Sequence, residues 1–210
     1  MPLSSTNSRR PRPNQRKDLW RHSQLPGGWP PWAADGRRKL ARGMDFTIRR
    51  ARTRDVAAIR ELVDTYVAER RVLTKATVTL YEDIQEFWVA VDHDGAVLGC
   101  GALHVLWEDL AEIRTVAVHP RATGHGAGHR IVAALLDTAR EIGVRRVFVL
   151  TFETDFFGHH GFRRIKGTPV SHEVYAELLR SYDEGVAEFL ELEHVKPNTL
   201  GNTRMLVHLD

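Results

Sequence analysis

The segment Val116-Ala117-Val118-His119-Pro120-Arg121-Ala122-Thr123-Gly124-His125-Gly126-Ala127-Gly128 constrains this chain more than any other. An apolar run stops at a proline and three glycines alternate. Ile131, Val132, Leu135, Leu136 and Ala139 then follow at helical spacing. The order is strand, glycine-rich loop, helix. Glycine lets the backbone turn tightly and lets a ligand approach it closely. The free amides of the first helical turn then point at an anion, helped by the helix dipole. Such a unit commits the chain to a sheet crossed by a helix, with a loop suited to phosphate. The spacing is not a Walker A loop, because no Lys-Ser/Thr follows, and it is not the Rossmann Gly-x-Gly-x-x-Gly.

Around this unit the pattern is regular from residue 44 onward. Residues 46–50 read as a first strand. Thr53 or Asp55 is placed to cap a helix carrying Val56, Ile59, Leu62, Val63 and Tyr66. A short helix is expected over 81–86, a strand over 87–91, a turn at Asp94-Gly95 and a longer strand over 96–106. A turn at Glu108-Asp109 leads into a strand over 111–118, in which Ile113, Thr115 and Ala117 alternate with Glu112, Arg114 and Val116. The wholly apolar run 147–150 reads as a central strand. A short helix ending at Gly161-Phe162, helix over 172–190 and a last strand over 205–209 complete the reading. The fold class is α+β, a mixed sheet that is antiparallel at first, with helices on both faces.

Charge divides the chain. Residues 1–43 hold ten Lys and Arg against Asp18 and Asp35, a net of +8, while the remainder carries −5. Six of the nine prolines lie in the first part. That segment has no periodicity and too little apolar surface to offset its chain entropy, so 1–43 is read as a disordered basic arm and 44–210 as the domain. Met44, just ahead of the first strand, offers an alternative start of translation. Nucleic-acid binding by the arm, with Trp20, Trp29 and Trp32 stacking on bases, is the minor reading, because no module surrounds them. No apolar run reaches the ~20 residues of a membrane span. The single Cys100 rules out an internal disulfide and suits a reducing compartment, so a cytoplasmic location is expected.

Val116 to Gly128 resembles the GNAT family of acyl-CoA-dependent N-acetyltransferases, whose pattern is a strand ending in apolar-x-Val-x-Pro, then Arg/Gln-x-x-Gly-x-Gly/Ala opening a long helix. Ile48-Arg49-Arg50-Ala51 with Asp55, Ile59 and Leu62 looks like the family's opening. Phe156-Phe157 and Gly161-Phe162 look like its closing element. The resemblance covers about residues 46–165 and implies the GNAT fold, a mixed twisted sheet flanked by helices. It implies acetyl-CoA as co-substrate. The pyrophosphate would lie on Thr123, Gly124, His125, Gly126, Ala127, Gly128 and His129, and the pantetheine arm along Val116, Ala117 and Val118, with Phe157 against it. Two positions depart from the pattern. Thr123 stands at the Arg/Gln position. Phe157 stands where a tyrosine often protonates the leaving thiolate, and phenylalanine has no proton to give. Water, unassisted departure or Tyr182 are the alternatives.

The run from Ala111 to Pro120, the strand from Val147 to Thr151 and the tail Asn202-Thr203-Arg204-Met205-Leu206 are similar to those of amino-acid N-acetyltransferases, the N-acetylglutamate synthases that open arginine biosynthesis. The similarity is strongest to the short actinobacterial type without an amino-acid-kinase domain. It implies L-glutamate or L-glutamine as acceptor. The α-amine must lose a proton before it attacks, and Glu112 is the candidate base. The Val116 amide is the candidate oxyanion donor. Arg114, Arg204, Lys75 and Lys196 are the candidate carboxylate ligands. The plain alternatives are a paired strand residue for Glu112 and surface cations for the rest. Cys100 reads as a packed strand residue. The histidines, His159-His160 included, lack the carboxylate pattern of a metal site, and no metal is expected. A homodimer is the default expectation. Competing functions are an acetyltransferase for another small-molecule or protein amine, and a non-catalytic acyl-CoA sensor.

Overall fold

Seven strands form one sheet in a computed structural model that describes residues 44–67, 76–181, 183–190 and 201–210. They are β1 (Thr47–Arg50), β2 (Phe87–Val91), β3 (Val97–Trp107), β4 (Leu110–Val118), β5 (Arg146–Thr151), β6 (Arg163–Arg164) and β7 (Thr203–His208). Their spatial order is β1-β2-β3-β4-β5-β7-β6. All neighbouring pairs are antiparallel except β4 and β5. The helices are α1 (Val56–Val67), α2 (Thr77–Glu82), α3 (Ala127–Glu141), α4 (Thr154–Gly158), α5 (His172–Leu178) and α6 (Glu184–Phe189). The basic segment 1–43 lies outside the described residues, and those from Met44 onward belong to one compact unit. Among the described residues, no helix is long and apolar enough to cross a membrane.

Three apolar clusters hold the layers together. Ile131, Val132, Leu135, Leu136 and Ala139 of α3 pack on Ala90, Leu103, Ala111, Ile113 and Val147 of the sheet. Val56, Ile59, Leu62 and Val63 of α1 cover the opposite face at Phe87, Val89, Cys100 and Ala117. On that same face, Leu178 of α5 and Val186 and Phe189 of α6 cover Leu110, Phe148 and Leu206. The approach of α3 depends on glycine. A Cβ on Gly101 would sit 2.9 Å from Ile131 Cγ2 and 3.1 Å from Leu135 Cδ1, and one on Gly99 would sit 3.0 Å from Ile131 Cδ1.

Several boundaries differ from the sequence reading. Arg52, not Thr53 or Asp55, stands at the cap of the Thr53–Asp55 turn that leads into α1. Asp55 reaches back to accept the Arg52 N–H at 2.8 Å. Arg49 donates to both Asp55 oxygens at 2.6 and 2.9 Å. These bonds hold the Asp55 carboxyl below its usual range, the Arg49 bond contributing most. The expected 81–86 helix is α2 followed by a 3-10 turn, Ile84–Glu86. The helical stretch 172–190 divides into α5 and α6. The short edge strand β6, paired at Arg163↔Leu206, escaped the pattern because two residues carry no periodicity.

Gly101→Ala should lower stability by about 1–3 kcal/mol, because a β-branched side chain and a buried leucine must both give way. Gly158→Ala, where a Cβ meets nothing within 4 Å, is the control. It should be neutral or gain up to about 1 kcal/mol. Urea midpoints at constant slope separate the two.

Candidate active site

The site begins where β4 and β5 part. The two strands pair at Leu110↔Arg146, Ala111↔Val147 and Glu112↔Phe148 and no further, although β4 runs on to Val118 and β5 to Thr151. Past Glu112 the backbone edge of β4 therefore has no β5 partner. A parallel pair that stops in mid-strand opens a wedge lined by amides and carbonyls, which suits an extended, amide-bearing ligand arm.

A bulge sits on the same stretch. Ala102 pairs with Arg114 and Cys100 with Ala117, so Thr115 and Val116 together oppose Gly101. Thr115 has φ +59°, a left-handed conformation that costs a β-branched residue roughly 1–3 kcal/mol. The bulge reverses the face of everything after it. Ile113 belongs to the core beneath α3, but Ala117 lies in the opposite core and Val116 and Val118 pack toward α3. The alternation expected from the sequence, with Ile113, Thr115 and Ala117 on one face, is therefore corrected. Cys100 lies beside the bulge, its Sγ 3.6 Å from the Thr115 carbonyl. Burial pushes its thiol up to about 12, which makes it a packing residue.

The loop after β4 is shaped by Gly124 (φ +79°) and Gly126 (φ +84°), and Gly126 caps α3. The first helical bond runs from Arg130 N to Gly126 O at 3.1 Å, so the amides of Ala127, Gly128 and His129 precede the ladder. The amide set is narrower than the sequence reading. Thr123 donates its N–H to the Pro120 carbonyl and His125 its N–H to the Ala122 carbonyl, at 3.3 and 3.2 Å. Phe157 lies in the core at 4% exposure, edge-on to Phe156 and Phe162. Phe156 is the ring that meets the first turn of α3. A Cβ on Gly128 would lie 3.3 Å from it, and His129 stacks on it at 4.7 Å. His129 Nδ1 lies 2.9 Å from His160 Nε2, so one ring donates to the other. Neighbouring imidazoles and burial, burial first, hold His160 below its usual range. No group of three or more His, Cys, Asp or Glu among the described residues is arranged to hold a metal ion.

The other face of the fork carries charge. Glu112 is 4% exposed and pairs across the sheet with His104 on one side and Phe148 on the other. Arg114 follows two residues on. Its Nη1 donates to both Asp183 oxygens at 2.9 and 3.0 Å, and its Nη2 lies 3.6 Å from Glu86. Burial disfavours the Arg114 cation, but Glu112, Asp183 and Glu86 outweigh it and raise its pKa. Burial likewise disfavours the Asp183 anion, and Arg114 and His104 outweigh it and hold its carboxyl low. Arg204 sits on the β5 side, its guanidinium carbon 5.1 Å from the Phe148 ring centre and 5.9 Å from that of Phe189. It also donates to the Phe189 carbonyl.

The structure thus brings Glu112, Arg114 and Arg204 to one face at the fork. It commits Arg114 to two carboxylates that the sequence reading did not assign. Lys75, Lys196 and Tyr182 lie outside the described residues. Sequence reasoning missed Glu86, His104, Asp183 and the Tyr66 hydroxyl, which donates to the Val118 carbonyl at 2.5 Å. Asp183 meets Arg114 across 69 residues and Tyr66 meets Val118 across 52, separations that no local pattern encodes.

Residues 49–164 match the sequence profile of the acetyltransferase (GNAT) family. The amino-acid acetyltransferase of Mycobacterium tuberculosis is 65% identical over 164 residues, 77% of this chain and 94% of that protein. The crystal structure of Rv2747 from Mycobacterium tuberculosis, in complex with CoA and NLQ, has a TM-score of 0.75 at 64% identity, over 78% of this chain and 99% of that one. N-acetylglutamate synthase from Neisseria gonorrhoeae, complexed with coenzyme A and N-acetyl-glutamate, is 26% identical with a TM-score of 0.63. That match spans 81% of this chain and 36% of the longer one.

Removing Arg114 leaves carboxylates uncompensated in a buried setting. Arg114→Met should cost about 3 kcal/mol in urea unfolding at neutral pH. Asp183→Asn added to it should recover part of the loss, a coupling of about 1 kcal/mol or more. The sign against pH follows from the depressed Asp183 carboxyl. Its contribution is present above the ordinary carboxylate range and is lost as pH falls from there through the lowered folded-state value. Arg114→Met should flatten that acid-side loss, and an unchanged acid slope would refute the coupling.

Proposed function

Because this chain belongs to the acetyltransferase (GNAT) family, we propose that it moves an acetyl group from acetyl-CoA to the α-amine of L-glutamate, and also of L-glutamine. Acetyl-CoA is the co-substrate of the fold, and the chain's residues suit it. The amides at the start of α3 suit an anion, and the open edge of β4 offers amides and carbonyls to the pantetheine arm. The observation that carries the reading is a buried carboxylate, Glu112, at the last rung of the β4–β5 fork, with Arg204 on the same face beyond Phe148.

In this reading Glu112 takes a proton from the acceptor ammonium, directly or through one water. The freed amine attacks the thioester carbon, the C–N bond forms and the C–S bond breaks. The developing oxyanion meets the N–H of Val116, a residue of the bulge. The coenzyme's thiolate leaves and is protonated, and Phe157 takes no part in that step. Arg204 binds an acceptor carboxylate, while Arg114 holds the carboxylate cluster in shape. The similarity to the amino-acid acetyltransferase of Mycobacterium tuberculosis favours an amino acid over a protein amine. The synthase complexed with N-acetyl-glutamate favours glutamate. The product would be the opening intermediate of arginine biosynthesis.

Thiol release from acetyl-CoA with glutamate, glutamine and a panel of other amines at equal concentration tests this. Glutamate or glutamine should be turned over with the highest kcat/KM. Glu112→Gln should lower kcat by about 100-fold or more with little change in the acetyl-CoA KM. Arg204→Ala should raise the acceptor KM by about 10-fold or more. Turnover of another amine, with neither glutamate nor glutamine accepted, would overturn the acceptor assignment. Binding of acetyl-CoA without turnover of any amine would make the protein a sensor.

A further inference from the structure

Resting on Glu112 as the base, we infer that His104 is a proton-relay and positioning residue. It takes the proton from Glu112 and, held by Glu86, passes it to solvent. The need is set by burial. Glu112 is 4% exposed, so a proton accepted from the acceptor ammonium is shielded from bulk water. Each turnover requires that carboxyl to be emptied again.

His104 is the residue directly opposite Glu112 in the β3–β4 register. Opposed residues of an antiparallel pair present their side chains on one face with Cβ atoms about 5 Å apart, within reach of a carboxyl and an imidazole, directly or through one water. The other side of the ring is fixed. His104 Nδ1 lies 2.7 Å from Glu86 Oε1. A carboxylate only accepts, so Nδ1 must carry hydrogen, and Nε2 is the acceptor of the neutral ring. The ring is therefore set in the tautomer that can take a second proton. The His104 side chain is 22% exposed and Glu86 17%, so the imidazolium lies closer to bulk water than Glu112 does.

The charged groups around the ring come from every element packed there. Glu86 ends the 3-10 turn before β2, Glu112 and Arg114 lie on β4, and Asp183 precedes α6. Arg114 is one fixed cation among three carboxylates, and Asp183 already responds to charge on His104. A second, transient positive charge on His104 is thus matched to its surroundings. The proton count closes. The ammonium yields one proton through Glu112 and His104 to water, and the proton shed by the attacking nitrogen balances the departing thiolate.

The test uses the full chain with acetyl-CoA and glutamate, or the acceptor it turns over best, across pH 6 to 9. His104→Gln should lower kcat by about 10- to 100-fold and move the acid limb of the kcat profile, with the acetyl-CoA KM within about 2-fold. Free imidazole should restore part of kcat to His104→Ala, which a purely structural ring would not allow. Glu86→Gln, a substitution in the turn ahead of β2, should shift the same limb, because it removes the charge that supports the imidazolium. It decides the matter if the His104 variants fail to fold. An unmoved limb in Glu86→Gln, or unchanged kcat and limb in a folded His104→Gln, overturns the relay and leaves the base reading standing. Near-wild-type kcat in Glu112→Gln overturns the base reading itself, and the relay with it.

Discussion

The structure depends on one interruption of hydrogen bonding: β4 and β5 pair for three rungs and then stop. Buried backbone amides and carbonyls must find partners, so an open edge inside a sheet is tolerated only where a ligand or water completes it. The surrounding architecture keeps the edge open. The bulge at Thr115 turns β4 away from a continuous ladder, and Gly99 and Gly101 let α3 press closely on β3 behind it. The first turn of α3 then stands at the end of β4, where a bound anion would meet its amides. Loop and fork are parts of one device, because the strand that ends in the loop is the strand that leaves its neighbour.

Charge on the far side of the sheet follows another rule. Glu112 is buried at the fork, and a buried carboxylate needs nearby positive charge or a proton. Arg114 supplies the charge two residues on, where strand periodicity returns a side chain to the same face ahead of the bulge. Two further carboxylates, Asp183 and Glu86, claim that guanidinium as well. The resulting cluster is rich in acid, which suits recognition of an ammonium more than of a carboxylate. In the proposed function, recognition of the acceptor carboxylate is assigned to Arg204, whose guanidinium lies over Phe148.

The local parts of this protein were legible because local rules govern them. The loop Gly124-His125-Gly126 reads as a phosphate cradle from composition alone, and its glycines do take positive φ. Glu112 could be singled out by the resemblance, because the family often places an acid on the strand leading into the loop, four residues before Val116. Phe157 reads most simply as core, which its burial bears out, but two adjacent phenylalanines in a short helix give no sign of which packs deeper. Phe157 takes the core and Phe156 meets α3. The alternation through Thr115 misled for a deeper reason. A period of two holds only while the ladder is regular, and one extra residue reverses every face beyond it.

By itself, then, the sequence determined most of the elements, the class of fold and the loop that suits a phosphate, since these follow from residue periodicity and from the backbone freedom of glycine. Tertiary structure alone decided which residues surround Glu112. Asp183, Glu86 and His104 reach the fork from different elements, and Arg114 is matched with an acid 69 residues away. The physical reason is that burial and charge pairing are properties of a place in space. A carboxylate acquires its chemistry from neighbours that the chain brings to it only when the sheet has formed.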